Sequence, residues 1–262
     1  MKIFSNKEQI SEVVDAFKAQ RLTIGFVPTM GALHKGHLAL VEKALANNDK
    51  VVVSVFVNPT QFNNTEDLEK YPRTLEHDIA LLESVSKDVL VFAPSVEGMY
   101  EGNTTSRHFD FDGLEYEMEG KFRPGHFNGV GTVVKRLFEI VKPDKAYFGE
   151  KDFQQLAVIR KLNAHYQFGI EIVACPTKRD PDGLAMSSRN LRLSAQERNK
   201  ALSIFKALTF IKENVGKEPI ETMRHRAILI IEEAGLLLDY FEIVNPHTLK
   251  TCADWQAEQL CC

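Results

Sequence analysis

The chain has 262 residues, of which 44% are hydrophobic and 26% charged, and its formal net charge is -4 with an isoelectric point near 6.1. This composition is typical of a folded globular protein and excludes the disordered and fibrous classes. The slight negative charge argues against nucleic acid or an anionic membrane as a partner, so we expect the partners to be small molecules.

The start of the chain and its cysteines bear on location. The first residues run straight into charged amphipathic sequence without the apolar stretch of a signal peptide, and no segment approaches the length needed to span a bilayer. The four cysteines, Cys175, Cys252, Cys261 and Cys262, have no Cys-x-x-Cys spacing and no disulfide framework. These features predict a cytoplasmic protein with reduced thiols.

Helical and strand periods alternate from residue 6 to residue 175. Ser5 and Glu8 have the spacing of a capping box, which predicts that a helix begins there. Strands are predicted at 22–27, 50–57, 89–93, 146–148 and 170–174, with helices near 74–86, 126–141 and 152–167. Such alternation is the signature of βαβ units. The predicted fold class is therefore α/β, with a Rossmann-like doubly wound parallel sheet.

After residue 176 the pattern changes. A charged loop at 178–183 precedes predicted helices at 194–214 and 218–234 and a strand near 237–244. We therefore predict two domains, a Rossmann-like domain over residues 1–176 and a smaller C-terminal α+β lid domain over 177–262. The Cys261–Cys262 ending supplies no recognisable terminator, which leaves truncation of the small domain open.

The turn after the first predicted strand places two histidines at a helix start. Residues 28–37 read PTMGALHKGH, so His34 and His37 flank Gly36. Free N–H groups at a helix N-terminus attract phosphate, and histidines three residues apart can donate to the same anion. A lone histidine here would be a cap or a solvated side chain, and zinc ligation by His-x-x-His without a third ligand is weakly supported. The pattern favours an anion site.

This His-x-Gly-His pattern resembles the signature of the class I nucleotidyltransferase and aminoacyl-tRNA synthetase superfamily. Five later segments, in order, resemble the pantothenate synthetase (pantoate–β-alanine ligase) family: FVNPTQF at 56–62, YPRTLE at 71–76, RPGHF at 123–127, FGEKDFQQL at 148–156 and DGLAMSSRN at 182–190. The likeness extends from the start of the chain to about residue 250. It implies ATP-dependent condensation of (R)-pantoate with β-alanine to pantothenate, releasing AMP and pyrophosphate, through a pantoyl-adenylate.

The resemblance also implies residue roles. His37, His34 and Lys151 would be catalytic. The segment 186–189 matches the mobile phosphate-binding loop that related synthetases carry as KMSKS, although alone it would pass for an ordinary polar loop. ATP would be bound by Met30, Gly31, Ala32, Leu33, His34, Lys35, Gly36, His37, Gly149, Glu150, Lys151, Asp152, Lys178, Met186, Ser187, Ser188 and Arg189.

Substrate, metal and assembly expectations follow from the same family. Gln61 and Gln155 match its two pantoate-binding glutamines, whose amides can donate to a carboxylate and accept from a hydroxyl. Magnesium would accompany ATP, with Asp78 as the best match to the family's ligand position. The partners would be pantoate, β-alanine and ATP, and the family's usual state is a homodimer.

Two rival functions fit the sequence less well. A nucleotidyltransferase that leaves the nucleotide on its product is disfavoured by the two glutamines and the 186–190 loop. A nucleotide-sensing module without turnover is disfavoured because His34, His37, Lys151 and Arg189 are all present. The Gly129–Gly131 segment lacks the third glycine of a dinucleotide fingerprint and lies in a helical pattern, so close helix packing is the better interpretation.

Overall fold

The computed structural model describes the whole chain, from Met1 to Cys262. Six parallel strands form the main sheet in the order β1-β4-β3-β2-β5-β6. They are β1 (Lys2–Phe4), β2 (Ile24–Thr29), β3 (Lys50–Val55), β4 (Leu90–Phe92), β5 (Lys145–Gly149) and β6 (Glu171–Cys175). The predicted α/β class and parallel sheet are confirmed.

Helices cover both faces of this sheet. In chain order they are α1 (Lys7–Ala19), α2 (Lys35–Asn47), α3 (Thr65–Glu69), α4 (Leu75–Val85), α5 (Val96–Tyr100), α6 (Glu119–Phe122), α7 (His126–Val141) and α8 (Phe153–His165). Helices α1, α7 and α8 pack on one face, and α2 and α4 pack on the other. Successive strand residues alternate between the two apolar cores, as the pleat requires, so each face has its own core.

The strand order reverses between β2 and β5. The chain proceeds from β2 through β3 to β4 on one side, and β5 and β6 extend the sheet on the other side. Ligands of open parallel sheets bind in the crevice outside the carboxyl ends of the strands at such a reversal. The segments that follow β2 and β5, residues 30–37 and 149–152, therefore meet at the place where the fold offers a binding site.

The C-terminal region has an apolar cluster of its own. Helices α9 (Ala195–Asn214) and α10 (Ile220–Glu233) pack on a short antiparallel pair, β7 (Ile243–Val244) and β8 (Leu260–Cys261). Ser194 and Glu197 form a capping box at the start of α9. Val244 and Leu260 also pack against the larger core of the main sheet. None of the chain's helices is both long enough and apolar enough to cross a bilayer.

Three details differ from the sequence prediction. Strand β1 was not predicted, because three residues of mostly exposed side chains have no detectable period. The first helix is capped by Asn6, whose side chain accepts from the backbone N–H of Gln9, and the capping box predicted at Ser5 does not form. The strand predicted at 237–244 shrinks to Ile243–Val244.

Gly129 on α7 permits a close backbone contact beside the crevice. A Cβ atom at Gly129 would lie 2.2 Å from the carbonyl oxygen of Thr60. The carbonyl of Gly129 in turn accepts a hydrogen bond of 3.2 Å from Asn58 Nδ2. The interpretation of this glycine as a packing residue is confirmed.

We expect Gly129→Ala to destabilise the fold. Helix propensity alone would stabilise alanine by about 1 kcal/mol, but relieving the contact with a fixed backbone carbonyl should cost about 1–3 kcal/mol or more. Gly131→Ala on the same helix meets only the rings of Phe109 and Phe111 and should cost less. Urea denaturation followed by circular dichroism measures both, and a Gly129→Ala variant at least as stable as the wild type would contradict this packing argument.

Candidate active site

A cleft of about 390 Å³ opens at the carboxyl ends of β2 and β5. Its walls come from the turn after β2, the segment after β3, the start of α7, the segment after β5 and the loop before α9. The predicted residues that line it are Met30, His34, Gly36, His37, Gln61, Gly149, Lys151, Asp152, Gln155, Lys178, Met186, Ser187, Ser188 and Arg189. The cleft thus collects both predicted glutamines and most of the predicted ATP-binding residues.

His34 and His37 cap the N-terminus of α2 with their rings. His34 Nδ1 accepts the backbone N–H of Gly36 at 3.1 Å, and His37 Nδ1 accepts the backbone N–H of His34 at 3.3 Å. A ring nitrogen that accepts carries no proton, so each neutral imidazole bears its proton on Nε2. The ring centroids lie 4.0 Å apart. Two Nε2–H donors are therefore the groups that remain for a ligand.

Both histidines are held in the neutral form. Burial, the adjacent His34 and then Lys151 lower the pKa of His37 from 6.5 to about 3. Burial and then Lys151 also lower the pKa of His34. Positive charge for an anion must consequently come from other side chains of the cleft.

Lys151 and Arg189 supply cationic groups to the cleft from two different segments of the chain. Lys151 follows β5, is partly exposed and pairs with Asp152 at 3.0 Å. Arg189 lies 2.8 Å from Asp67, a residue of α3 that also pairs with Arg192 at 2.7 Å. The Asp152 carboxylate is exposed, so its pair with Lys151 is weak and a phosphate can replace the carboxylate at small cost. The Asp67 side chain is only 25% exposed and pairs with two arginines, so its pair with Arg189 is less solvated.

The loop that carries residues 186–189 is the far arm of a hairpin. Met186 N–H donates to Lys178 O at 3.0 Å, and Asp180 N–H donates to Leu184 O at 2.8 Å. Arg198 on α9 pairs with Asp180 and with Asp182 in the turn. The hairpin therefore delivers Ser187, Ser188 and Arg189 onto the mouth of the cleft.

Asp78 does not fit the prediction that it ligates magnesium. Its side chain is 0% exposed and does not line the cleft. Its two oxygens accept the backbone N–H groups of Ala32 at 3.0 Å and Leu33 at 2.7 Å. Nowhere in the chain are three or more His, Cys, Asp or Glu side chains grouped to hold a metal. The carboxylate is committed to backbone donors, so this geometry does not support a magnesium ligand at Asp78, and that role stays a prediction.

Gln61 presents a donor to the cleft. Asn58 is buried in the segment after β3. Its Oδ1 accepts the N–H of Thr60 and its Nδ2 donates to the carbonyl of Gly129, so these two backbone partners fix the orientation of its amide. Its Nδ2 also donates to Gln61 Oε1 at 3.1 Å. The amide nitrogen of Gln61 then lies on the other side, 3.0 Å from Met30 Sδ. This orientation suits a ligand oxygen.

The adjacent glutamines of α8 have opposite environments. Gln154 is 3% exposed; its Nε2 donates to the carbonyls of Leu114 and Glu117, both at 2.7 Å, and its Oε1 accepts Glu119 N–H at 3.0 Å. Gln155 lines the cleft, and no hydrogen bond to protein engages its side chain. Gln154 therefore holds the chain ahead of α6, whereas the amide of Gln155 is available to a ligand.

Among the lining residues without a predicted role, Glu119, Arg123 and His126 form a group beside Gln61. His126 Nδ1 donates to the carbonyl of Gln61 at 2.8 Å, and Arg123 donates to the same oxygen at 3.2 Å. Glu119 pairs with Arg123. Burial and then the charge of Arg123 lower the pKa of His126. The RPGHF segment contributes to the family resemblance, but the sequence does not show that two of its side chains donate hydrogen bonds to the carbonyl of Gln61.

Some predicted ATP-binding residues lie outside the lining. Gly31, Ala32 and Leu33 are buried within the turn, and the exposed residues Lys35 and Glu150 do not line the cleft. Contacts of these five with ATP stay predictions.

The fold and the cleft define a Rossmann-like α/β protein with a crevice at its strand reversal that is lined by hydrogen-bond donors and cationic side chains. The sequence model of the pantoate-beta-alanine ligase family matches residues 2–262. The chain belongs to this family. The family's activity is the ATP-dependent condensation of pantoate with β-alanine, so the chain is a ligase that forms an amide bond.

Individual relatives agree with the family match. The pantothenate synthetase of Phocaeicola vulgatus is 53% identical over 98% of this chain and 91% of its own length. The pantothenate synthetase of Flavobacterium psychrophilum is 51% identical over 96% of this chain and 90% of its own length. The crystal structure of the Thermus thermophilus enzyme superposes with a TM-score of 0.91 at 44% sequence identity, and the match covers 99% of this chain and 92% of that one. A Francisella tularensis ligase solved with a β,γ-ATP compound and β-alanine has a TM-score of 0.82 at 38% sequence identity, and the match covers 94% of this chain and 90% of that one.

Alanine substitution should separate Gln155 from Gln154. Gln155→Ala removes an amide that has no protein partner, so we expect unchanged thermal stability and a raised KM for pantoate with little change in ATP affinity. Gln154→Ala leaves buried backbone groups unpaired and should lower stability by about 1–3 kcal/mol for each group left unsatisfied. Thermal melts and steady-state kinetics of the matched pair test this, and it fails if Gln155→Ala weakens ATP and pantoate equally.

Proposed function

We propose that this cleft performs the family's reaction in two half-reactions through a pantoyl-adenylate. One observation carries the proposal: two Nε2–H donors, Lys151 and Arg189 line the same cleft as Gln61 and Gln155. Donors for a polyphosphate and neutral amides for a hydroxy acid are thus side by side. ATP and pantoate can react only if they are held together in this way.

In the first half-reaction a carboxylate oxygen of pantoate attacks the α-phosphorus of ATP. The new P–O bond gives the mixed anhydride, the α–β bridging P–O bond breaks, and pyrophosphate leaves. His34 and His37 donate through Nε2 to phosphate oxygens as charge develops there, and Lys151 and Arg189 neutralise the polyphosphate. Preorganised donors of this kind are worth roughly 3–4 kcal/mol each in comparable enzymes.

The glutamines orient pantoate. Gln61 directs its amide N–H₂ toward the ligand because Asn58 already donates to its oxygen. Gln155 has both amide groups free and can pair with carboxylate or hydroxyl. Neutral amides hold the attacking carboxylate without an ion pair that would lower its nucleophilicity.

In the second half-reaction the β-alanine amine attacks the acyl carbon, the amide bond forms, and AMP leaves. The amine attacks only when deprotonated, and an amine of pKa near 10 is mostly protonated at neutral pH. His34 and His37 are poor candidates for the base because their acceptor nitrogens are engaged by backbone N–H groups. We therefore assign them to charge stabilisation and expect this half-reaction to accelerate as pH rises.

Three finer points belong to the same proposal. Magnesium enters as the Mg·ATP substrate complex, since Asp78 is committed to backbone donors. The four cysteines are unpaired, which supports a reducing, cytoplasmic setting. A homodimer is proposed from the family resemblance alone, and sedimentation equilibrium measures it directly.

Isotope exchange tests the order of the chemistry. With ATP, magnesium and pantoate but no β-alanine, the enzyme should exchange labelled pyrophosphate into ATP and retain pantoyl-adenylate. Omitting pantoate should abolish exchange, and His37→Ala should remove most of it while leaving the fold intact. If exchange appeared only after β-alanine was added, and no adenylate could be trapped beforehand, the stepwise route would be wrong.

A further inference from the structure

Asp78 is a buried carboxylate without a cationic partner. It lies in the first turn of α4, where the helix dipole favours a negative charge, and no lysine, arginine or histidine pairs with it. A buried charge is costly unless hydrogen bonds compensate it. Here the compensation comes from the N–H groups of Ala32 and Leu33, supplemented by the Thr74 hydroxyl at 3.3 Å.

The segment that Asp78 holds has an unusual backbone. Gly31 and Ala32 have φ values of +79° and +49°, so the chain makes a left-handed turn between β2 and α2. This conformation is costly for the non-glycine Ala32 and persists only where the surroundings impose it. Ala32 and Leu33 are both buried, and without Asp78 their N–H groups would lack a partner.

The same turn is engaged from its other side by the C-terminal loop. Ser188 Oγ donates to the carbonyl of Ala32 at 3.0 Å. The N–H of Ala32 therefore donates to Asp78 on α4, and the carbonyl of Ala32 accepts from Ser188 on the hairpin arm. His34, which begins α2, follows two residues later. The position of the histidine pair and the docking of Ser188 consequently share one short segment.

We propose that Asp78 is a positioning residue, which fixes the left-handed turn so that the two histidines and the loop at 186–189 meet ATP in register. It acts through backbone N–H groups and touches neither ATP nor metal. The inference rests on the proposed use of this cleft for ATP, and it replaces a metal role for Asp78 with a geometric one.

The variant Asp78→Asn tests the proposal. The carboxamide keeps one acceptor but turns an N–H₂ group toward a backbone N–H, so the turn should loosen. Glu76→Gln is the matched control, because Glu76 is an exposed carboxylate on the same helix. We expect Asp78→Asn to lower kcat by about 100-fold, as a displacement of roughly 1 Å can do, and the control to leave it unchanged.

Calorimetric ATP titrations separate positioning from metal ligation. Asp78→Asn should weaken ATP binding by a similar factor in excess magnesium and in EDTA, since the turn is disturbed in both. A loss seen only with magnesium, or an activity restored by raising magnesium, would overturn the proposal. The proposal would also be overturned if Asp78→Asn had the same kinetics and the same ATP affinity as Glu76→Gln while the wild type exchanged pyrophosphate. A wild type that fails to exchange pyrophosphate contradicts the proposed function instead.

Amide hydrogen exchange in the wild type probes the contacts of Asp78 without a substitution, and it therefore applies even if Asp78→Asn does not fold. The N–H groups of Ala32 and Leu33 lie in a turn outside any helix or strand and are held by a side chain. They should exchange slowly, as a buried carboxylate partner requires. Rapid exchange of both would overturn the proposal.

Discussion

The active cleft depends on how the N-terminus of α2 satisfies its own backbone. The first N–H groups of a helix have no partner within the helix, and here the rings of His34 and His37 accept two backbone N–H groups at this end. This single interaction sets the tautomer of both rings and turns their Nε2–H groups into donors. In the proposed reaction the neutral histidines would accordingly provide directed hydrogen bonds, while Lys151 and Arg189 would provide positive charge.

Much of this architecture could be predicted from the sequence. The nearly continuous apolar run at 50–57 indicated a strand covered on both faces, and β3 lies inside the sheet. The turns after the predicted strands contain residues that line the cleft, because parallel strands end at a common edge of the sheet. Family likeness then assigned Gln61 and Gln155 to the site, and both line the cleft.

Other features could not be predicted because they depend on contacts between distant segments. Nothing local shows that Asp78 reaches back to a turn more than forty residues earlier, or that Gln154 rather than Gln155 is buried. The tautomers of His34 and His37 also follow from geometry that residue types do not reveal. Strand β1 is short and mostly exposed, and pairing with β4 alone defines it. In each case a backbone partner elsewhere in the chain decides the role of the side chain.

Nitrogen-15 NMR of labelled histidine, with His34 and His37 assigned by substitution, tests the central claim most directly. Both rings should be neutral at pH 7, with the proton on Nε2 and an unprotonated Nδ1. His37 should stay neutral at pH 5, because burial, His34 and Lys151 lower its pKa to about 3. A proton on Nδ1 of either ring, or an imidazolium at His37 near neutral pH, would contradict the capping geometry and the donor role built on it.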